Sequence, residues 1–154
     1  MSVGQHQRAW RAPMPHGRST DGHGLEQLDD ATCLHLLSGR SVGRIGFSSG
    51  ALPVIYPVNY LLDDRTLYMG CDEGSKARAA RQGNVACLQI DHSEALEHDG
   101  WSVMATGRLG LVPDEELDTV SRRPIPSWAL GTPELYITLQ VELLSGRRLR
   151  RLEA

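Results

Sequence analysis

The spacing of apolar positions changes several times along the chain, and each change marks a predicted element. Leu28–Gly39 carries Cys33, Leu34, Leu36 and Leu37 at helical spacing, with Asp29 or Asp30 available as a cap and Gly39 as a stop. From Ser41 the period drops to two. Val42, Ile45 and Phe47 line a first strand, and Ser48-Ser49-Gly50 makes a turn. A long apolar and aromatic run, Leu52–Leu62, follows and is interrupted by Pro53 and Pro57. Proline cannot donate to a ladder, so Pro57 marks an edge, a bulge or an opening in the sheet. Asp63-Asp64-Arg65 reads as a short hairpin into the strand Thr66–Cys71.

Helical spacing returns over Ser75–Gln82 and closes at Gly83-Asn84. Val85–Ile90 is then a buried strand, Asp91–Asp99 an acidic loop, and Trp101–Val112 a second long strand. Pro113 opens a helix over Asp114–Val120, the proline-rich segment Arg122–Pro133 is an extended loop, and Leu135–Leu144 is the last strand. Six strand-like runs joined mostly by hairpin-length turns, with two or three short helices, predict a mainly β, α+β fold. The expectation is a six-stranded antiparallel split β-barrel with short flanking helices. The Pro and Gly interruptions of the two long strands suit a sharply curved sheet.

Composition narrows the classes of partner. The 154 residues suffice for one domain with a proper core. Met1–Gly24, rich in Gly, Pro, His, Arg and Ser, reads as a disordered leader before a domain over 25–154. A net charge of -3 provides no basic field for nucleic acid or anionic membrane. Cys33, Cys71 and Cys87 are widely spaced in apolar patterns, which predicts reduced thiols and a cytoplasmic address. No apolar run approaches the ~20 residues of a membrane helix.

Candidate chemistry centres on Leu67–Lys76, which reads as strand, tight turn and helix start. Such a turn presents free backbone N–H groups; Ser75 offers a hydroxyl and an N-cap, and Lys76 a point charge for an anion. Lys76 is the only lysine, beside fifteen arginines. The same spacing also fits an ordinary capped surface helix with a solvated lysine. Asn59 is a polar amide inside an apolar run, so it either satisfies a bulge or faces a ligand. Gln89 occupies a strand position where an aliphatic residue is expected. His92 and His98, in the acidic loop, match no metal-ligand signature.

The order of these short motifs resembles the pyridoxamine 5′-phosphate oxidase-like family. The motifs are Val42-Gly43-Arg44-Ile45-Gly46-Phe47, Pro57-Val58-Asn59-Tyr60, Gly74-Ser75-Lys76, Gly100-Trp101-Ser102-Val103 with Gly107, and Ser145-Gly146-Arg147-Arg148, spanning Leu28 to Arg151. The resemblance implies an FMN-binding split barrel that works as a homodimer, with two flavins at the subunit interface and a small-molecule substrate. By the same resemblance Pro57, Val58 and Asn59 run along the flavin ring. Met69 and Gly70 precede the phosphate turn, Ser75 and Lys76 end the phosphate motif, and Gln89 lies close to the ring. Trp101 and Trp128 are implied interface aromatics, of which Trp128 is the candidate to stack near a flavin.

Two departures bear on activity. The ring-lining strand has no Arg for the phosphate, and the Arg-Leu-His ending of the true oxidases is replaced by Arg148-Leu149-Arg150-Arg151. The expected function is therefore an FMN-dependent oxidoreductase other than a true pyridoxamine phosphate oxidase. The alternatives are a non-catalytic flavin- or haem-binding or sensing module, or a deazaflavin-dependent reductase. In the oxidoreductase reading the flavin supplies the chemistry, and no protein nucleophile is required.

Overall fold

The computed structural model describes residues 25–96 and 99–149. The expected leader over Met1–Gly24, His98, and the Arg150-Arg151 ending lie outside the described residues. The elements in order are β1 (Leu25–Leu28), α1 (Asp30–Ser38), β2 (Val42–Ser49), β3 (Leu52–Asn59), β4 (Leu61–Asp63) and β5 (Thr66–Cys71). They continue with α2 (Ser75–Arg81), β6 (Val85–Glu94), β7 (Asp99–Leu111), α3 (Asp114–Ser121) and β8 (Leu135–Leu149).

All the strand pairs are antiparallel, and the sheet runs β3-β2-β6-β7-β8-β5-β4, with β1 also pairing with β8. One residue, Tyr60, separates β3 from β4, yet these strands stand at opposite ends of that order. A sheet whose two edges are joined by a single residue must curl round on itself. This is the split barrel that the pattern predicts, with eight strands instead of six.

The two extra strands have local causes. The run Leu52–Leu62 is two strands, because Tyr60 turns a corner without breaking the hydrophobic pattern. Its backbone N–H donates to Ser41 O at 3.0 Å and its hydroxyl to Leu37 O at 2.7 Å. Those bonds tie the corner to the end of α1. The four residues of β1 are too short to show a period, and Leu28 belongs to that strand while α1 starts at Asp30. Asp29 is the cap, accepting from Thr32 N at 2.8 Å.

The expected acidic loop is also corrected. Asp91–Glu94 pair with Asp99–Ser102 as the tip of the β6–β7 hairpin. Ladder hydrogen bonding thus carries this polar segment past the end of the apolar pattern. Trp101 stands near that tip, with the Arg40 guanidinium 5.3 Å from its ring and His92 6.3 Å away.

The inward positions alternate along each strand. Ile45 and Phe47, Leu67 and Met69, Leu88 and Ile90, Val103 and Ala105, and Ile137 and Leu139 all belong to one core. Cys33 and Leu37 of α1 and the three alanines Ala77, Ala79 and Ala80 of α2 join it. Small side chains let α2 lie close against the barrel. β7 bends at a bulge between Thr106 and Gly107. A Cβ at Gly107 would stand 1.7 Å from Gln140 O, so only glycine allows the backbones to approach at the bend. A second, smaller cluster, Val112, Val120 and Tyr136 with Tyr68, Leu117 and Ile125, packs α3 and the start of the following loop against the barrel.

Candidate functional site

β3 is an edge strand, as Pro57 requires, and its odd-numbered residues Pro53, Ile55 and Pro57 are exposed. At the end of β3 the barrel opens into a cavity of about 500 Å³. Its walls come from Pro57-Val58-Asn59, from Gly70-Cys71-Asp72 at the end of β5, from Lys76, and from the loop Ile125–Pro133. This size lies within the ~300–1,000 Å³ of small-molecule and cofactor sites.

The loop wall is held at several points. At its root the Arg123 guanidinium pairs with Asp63 and lies 4.7 Å from the centre of the Tyr68 ring. In the middle Asn59 Oδ1 accepts from Trp128 N at 3.1 Å, while Asn59 Nδ2 donates to Ser41 O at 3.5 Å. Beyond its end Asp72 Oδ1 accepts from Glu134 N, and Glu134 Oε2 accepts from Glu73 N, both at 3.3 Å. Pro133 closes over Gly70 so tightly that a Cβ there would lie 2.5 Å from Pro133 Cγ. Between these anchors Trp128 is 78% exposed and Leu130 fully so.

Among the described residues, Lys76 is the one cation in the cavity lining. Arg81 pairs with Glu73, and that hydrogen bond holds the Glu73 carboxyl below its ordinary range. None of the ion pairs among the described residues involves Lys76. Its ammonium instead lies 5.6 Å from the centre of the Tyr56 ring. Cys71 also lines the cavity, and burial pushes its thiol pKa up against the opposing pull of Lys76. A protonated thiol is a poor nucleophile at neutral pH. The arrangement can therefore hold a ligand by shape, backbone groups and the Lys76 charge, and its one thiol is not an activated nucleophile.

Of the nine residues singled out from the sequence, six line the cavity: Pro57, Val58, Asn59, Gly70, Lys76 and Trp128. Met69 is fully buried in the core. Ser75 lies beside the cavity, its hydroxyl 3.4 Å from the Tyr56 hydroxyl. The N-cap of α2 is Gly74, not Ser75, and makes no side-chain capping bond. Gln89 is half-buried on β6, opposite Arg44 and Met104, away from the cavity lining.

Apart from Trp128, the loop wall carries no period or motif that marks it as part of a site. The clustered prolines 124, 126 and 133 around Trp128 were its available signal. Gly46-Phe47-Ser48-Ser49-Gly50 has the spacing of a nucleophilic serine elbow. It belongs here to the β2–β3 hairpin, and no helix follows Ser48.

Fold and cavity together define an open antiparallel barrel with a cavity at its split edge. The family model described as pyridoxamine 5′-phosphate oxidase matches residues 29–148, and the chain belongs to that family. It is 28% identical over 128 residues to an uncharacterized protein of Mycobacterium tuberculosis, covering 80% of this chain and 84% of that one. Among solved structures it resembles an FAD binding protein from Mycobacterium smegmatis, with a TM-score of 0.62 and 24% identity over 82% of this chain and 99% of the other. It also resembles an FAD and haem binding protein from Mycobacterium smegmatis, with a TM-score of 0.64 and 17% identity over 83% of this chain and 76% of the other. No helix among the described residues is long and apolar enough to cross a membrane.

Proposed function

We propose that the chain is a flavin-nucleotide-binding oxidoreductase, with FMN as the first cofactor to test, acting as a homodimer on a small-molecule substrate. The observation that carries this reading is the cavity at the split edge, where six residues singled out from the sequence meet, Lys76 among them as the one cation of the described lining. An isoalloxazine ring is flat and mostly uncharged, with polar atoms along its edge. An exposed β-edge, apolar walls and backbone groups match that chemistry. Pro57, Val58 and Asn59 would run beside the ring, the Trp128 loop would exclude water from it, and Lys76 would take the phosphate charge. The flavin when bound supplies the redox chemistry. This fits a site whose one thiol is held protonated.

FMN is preferred here to haem because, among the described residues, no histidine or methionine lines the cavity, burial holds the Cys71 thiol protonated, and Tyr136 is packed into the cluster of Val112 and Val120. The similar proteins named for FAD, one also for haem, make FAD and haem the competing ligands. Leu52, Ile55, Met104, Trp128 and Leu130 are exposed apolar residues, and covering them supports a dimer burying over ~2,000 Å². Three unpaired cysteines support a reducing, cytoplasmic setting.

The test is the absorption spectrum of the purified protein, with mass identification of what denaturation releases. Flavin bands and a released flavin nucleotide are expected. A Soret band would shift the reading to haem, and a colourless protein that takes up no added flavin would reject it.

A further inference from the structure

We propose that Tyr56 is a positioning residue for the anion end of this cavity, seating the Lys76 ammonium on its ring and the Ser75 hydroxyl on its phenol. The proposal rests on the flavin-nucleotide reading above and adds to it how a lone cation can serve a phosphoryl group.

The contact joins distant parts of the chain. Tyr56 stands on β3, whereas Ser75 and Lys76 begin α2. Lys76 Nζ lies 5.6 Å from the Tyr56 ring centroid, and Ser75 Oγ donates to Tyr56 Oη at 3.4 Å. The ring has a firm base. Its centroid is 6.1 Å from that of Phe47, which belongs to the core. Tyr56 itself is 37% exposed, so it can be changed without opening the core.

A lysine stem has many rotamers, and ordering it on an anion costs conformational entropy. An aromatic face restricts the ammonium beforehand, and three N–H donors leave some free for an incoming phosphoryl oxygen. This matters in a cavity where Lys76 is the only basic side chain among the described lining residues.

The experiment titrates FMN and riboflavin, which lacks the phosphate, into wild type, Tyr56→Leu and Tyr56→Phe. Melting of each apo-protein confirms that it is folded. Tyr56→Leu is expected to weaken FMN binding by roughly 3- to 10-fold and to leave riboflavin binding unchanged. Tyr56→Phe keeps the ring and should recover most of the FMN affinity. Equal losses for the two ligands, an unchanged FMN affinity, or a Phe variant as weak as the Leu variant would each overturn the assignment. Wild type that binds both ligands equally would show that no phosphate is read, and so overturn the role of Tyr56 while leaving the flavin reading standing. Wild type that binds neither flavin would overturn that reading and the Tyr56 assignment with it.

Discussion

Asn59 accepts a hydrogen bond from the backbone of Trp128, 69 residues further along the chain, and thereby fastens the loop wall of the cavity to the edge strand. The polar residue that looked anomalous in an apolar run thus has a positional reason. Its amide spends one end on Trp128 and the other on Ser41. It can shape the cavity without touching a ligand.

Asn59→Ala should therefore loosen the loop more than it destabilises the fold. A net loss of about 1 kcal/mol is expected for the missing hydrogen bond. Amide exchange at Trp128 should accelerate, and trypsin should cut faster after Arg122, the bond after Arg123 being closed to it by Pro124. Unchanged exchange at Trp128 would show that the loop does not depend on this tether.

Gly70→Ala places a methyl group against the Pro133 ring, where there is no room for it. Either Pro133 moves outward or β5 shifts, at a cost of about 1–3 kcal/mol. For a chain of this length that is a fall in Tm of roughly 2–10 °C. A variant as stable as wild type, with the same ligand affinity, would mean that the loop repacks freely.

Alkaline pH should destabilise the protein through its buried acids. Burial lifts the Cys33 thiol from 9.0 to about 11, with Asp30 and Asp29 adding to the effect. The folded state then holds a proton that the unfolded chain has released. This stabilisation is complete below pH 9 and disappears as pH rises towards about 11. Its size is on the order of 2–3 kcal/mol for a fully buried thiol. Tyr60, also raised by burial, acts in the same direction at higher pH. Melting between pH 7 and 11 should show the fall, and Cys33→Ala, though less stable throughout, should show a shallower one. Parallel curves would remove Cys33 from the account.

The barrel was legible because seven of its eight strands lie in apolar runs with clear turns, even though one run holds two of them. What the pattern hid has a physical cause in each case. Tyr60 is apolar in character, so the corner between β3 and β4 looks like continuous strand. β1 is too short to show a period. The tip of the β6–β7 hairpin is built from Asp91, His92, Ser93 and Glu94, polar residues that pairing holds extended where hydrophobicity gives no signal. At the site, Pro57, Asn59 and Lys76 stood out because each breaks its local pattern. The wall Ile125–Pro133 carries no period, and its place over Gly70 is set by contacts distant in sequence. Met69 shows the limit of reading neighbours together. It adjoins Gly70, but strand alternation turns its side chain into the core.

Lys76 bears most directly on the central claim, that the cavity holds a flavin nucleotide by its phosphate. FMN is titrated into wild type and Lys76→Ala, with melting of both apo-proteins in parallel. Loss of a charge-assisted partner should weaken binding by roughly 10- to 100-fold. The half-buried lysine makes no ion pair among the described residues, so apo stability should change by less than about 1 kcal/mol. Equal FMN affinity in the two proteins would contradict the account and leave Lys76 a solvated surface charge.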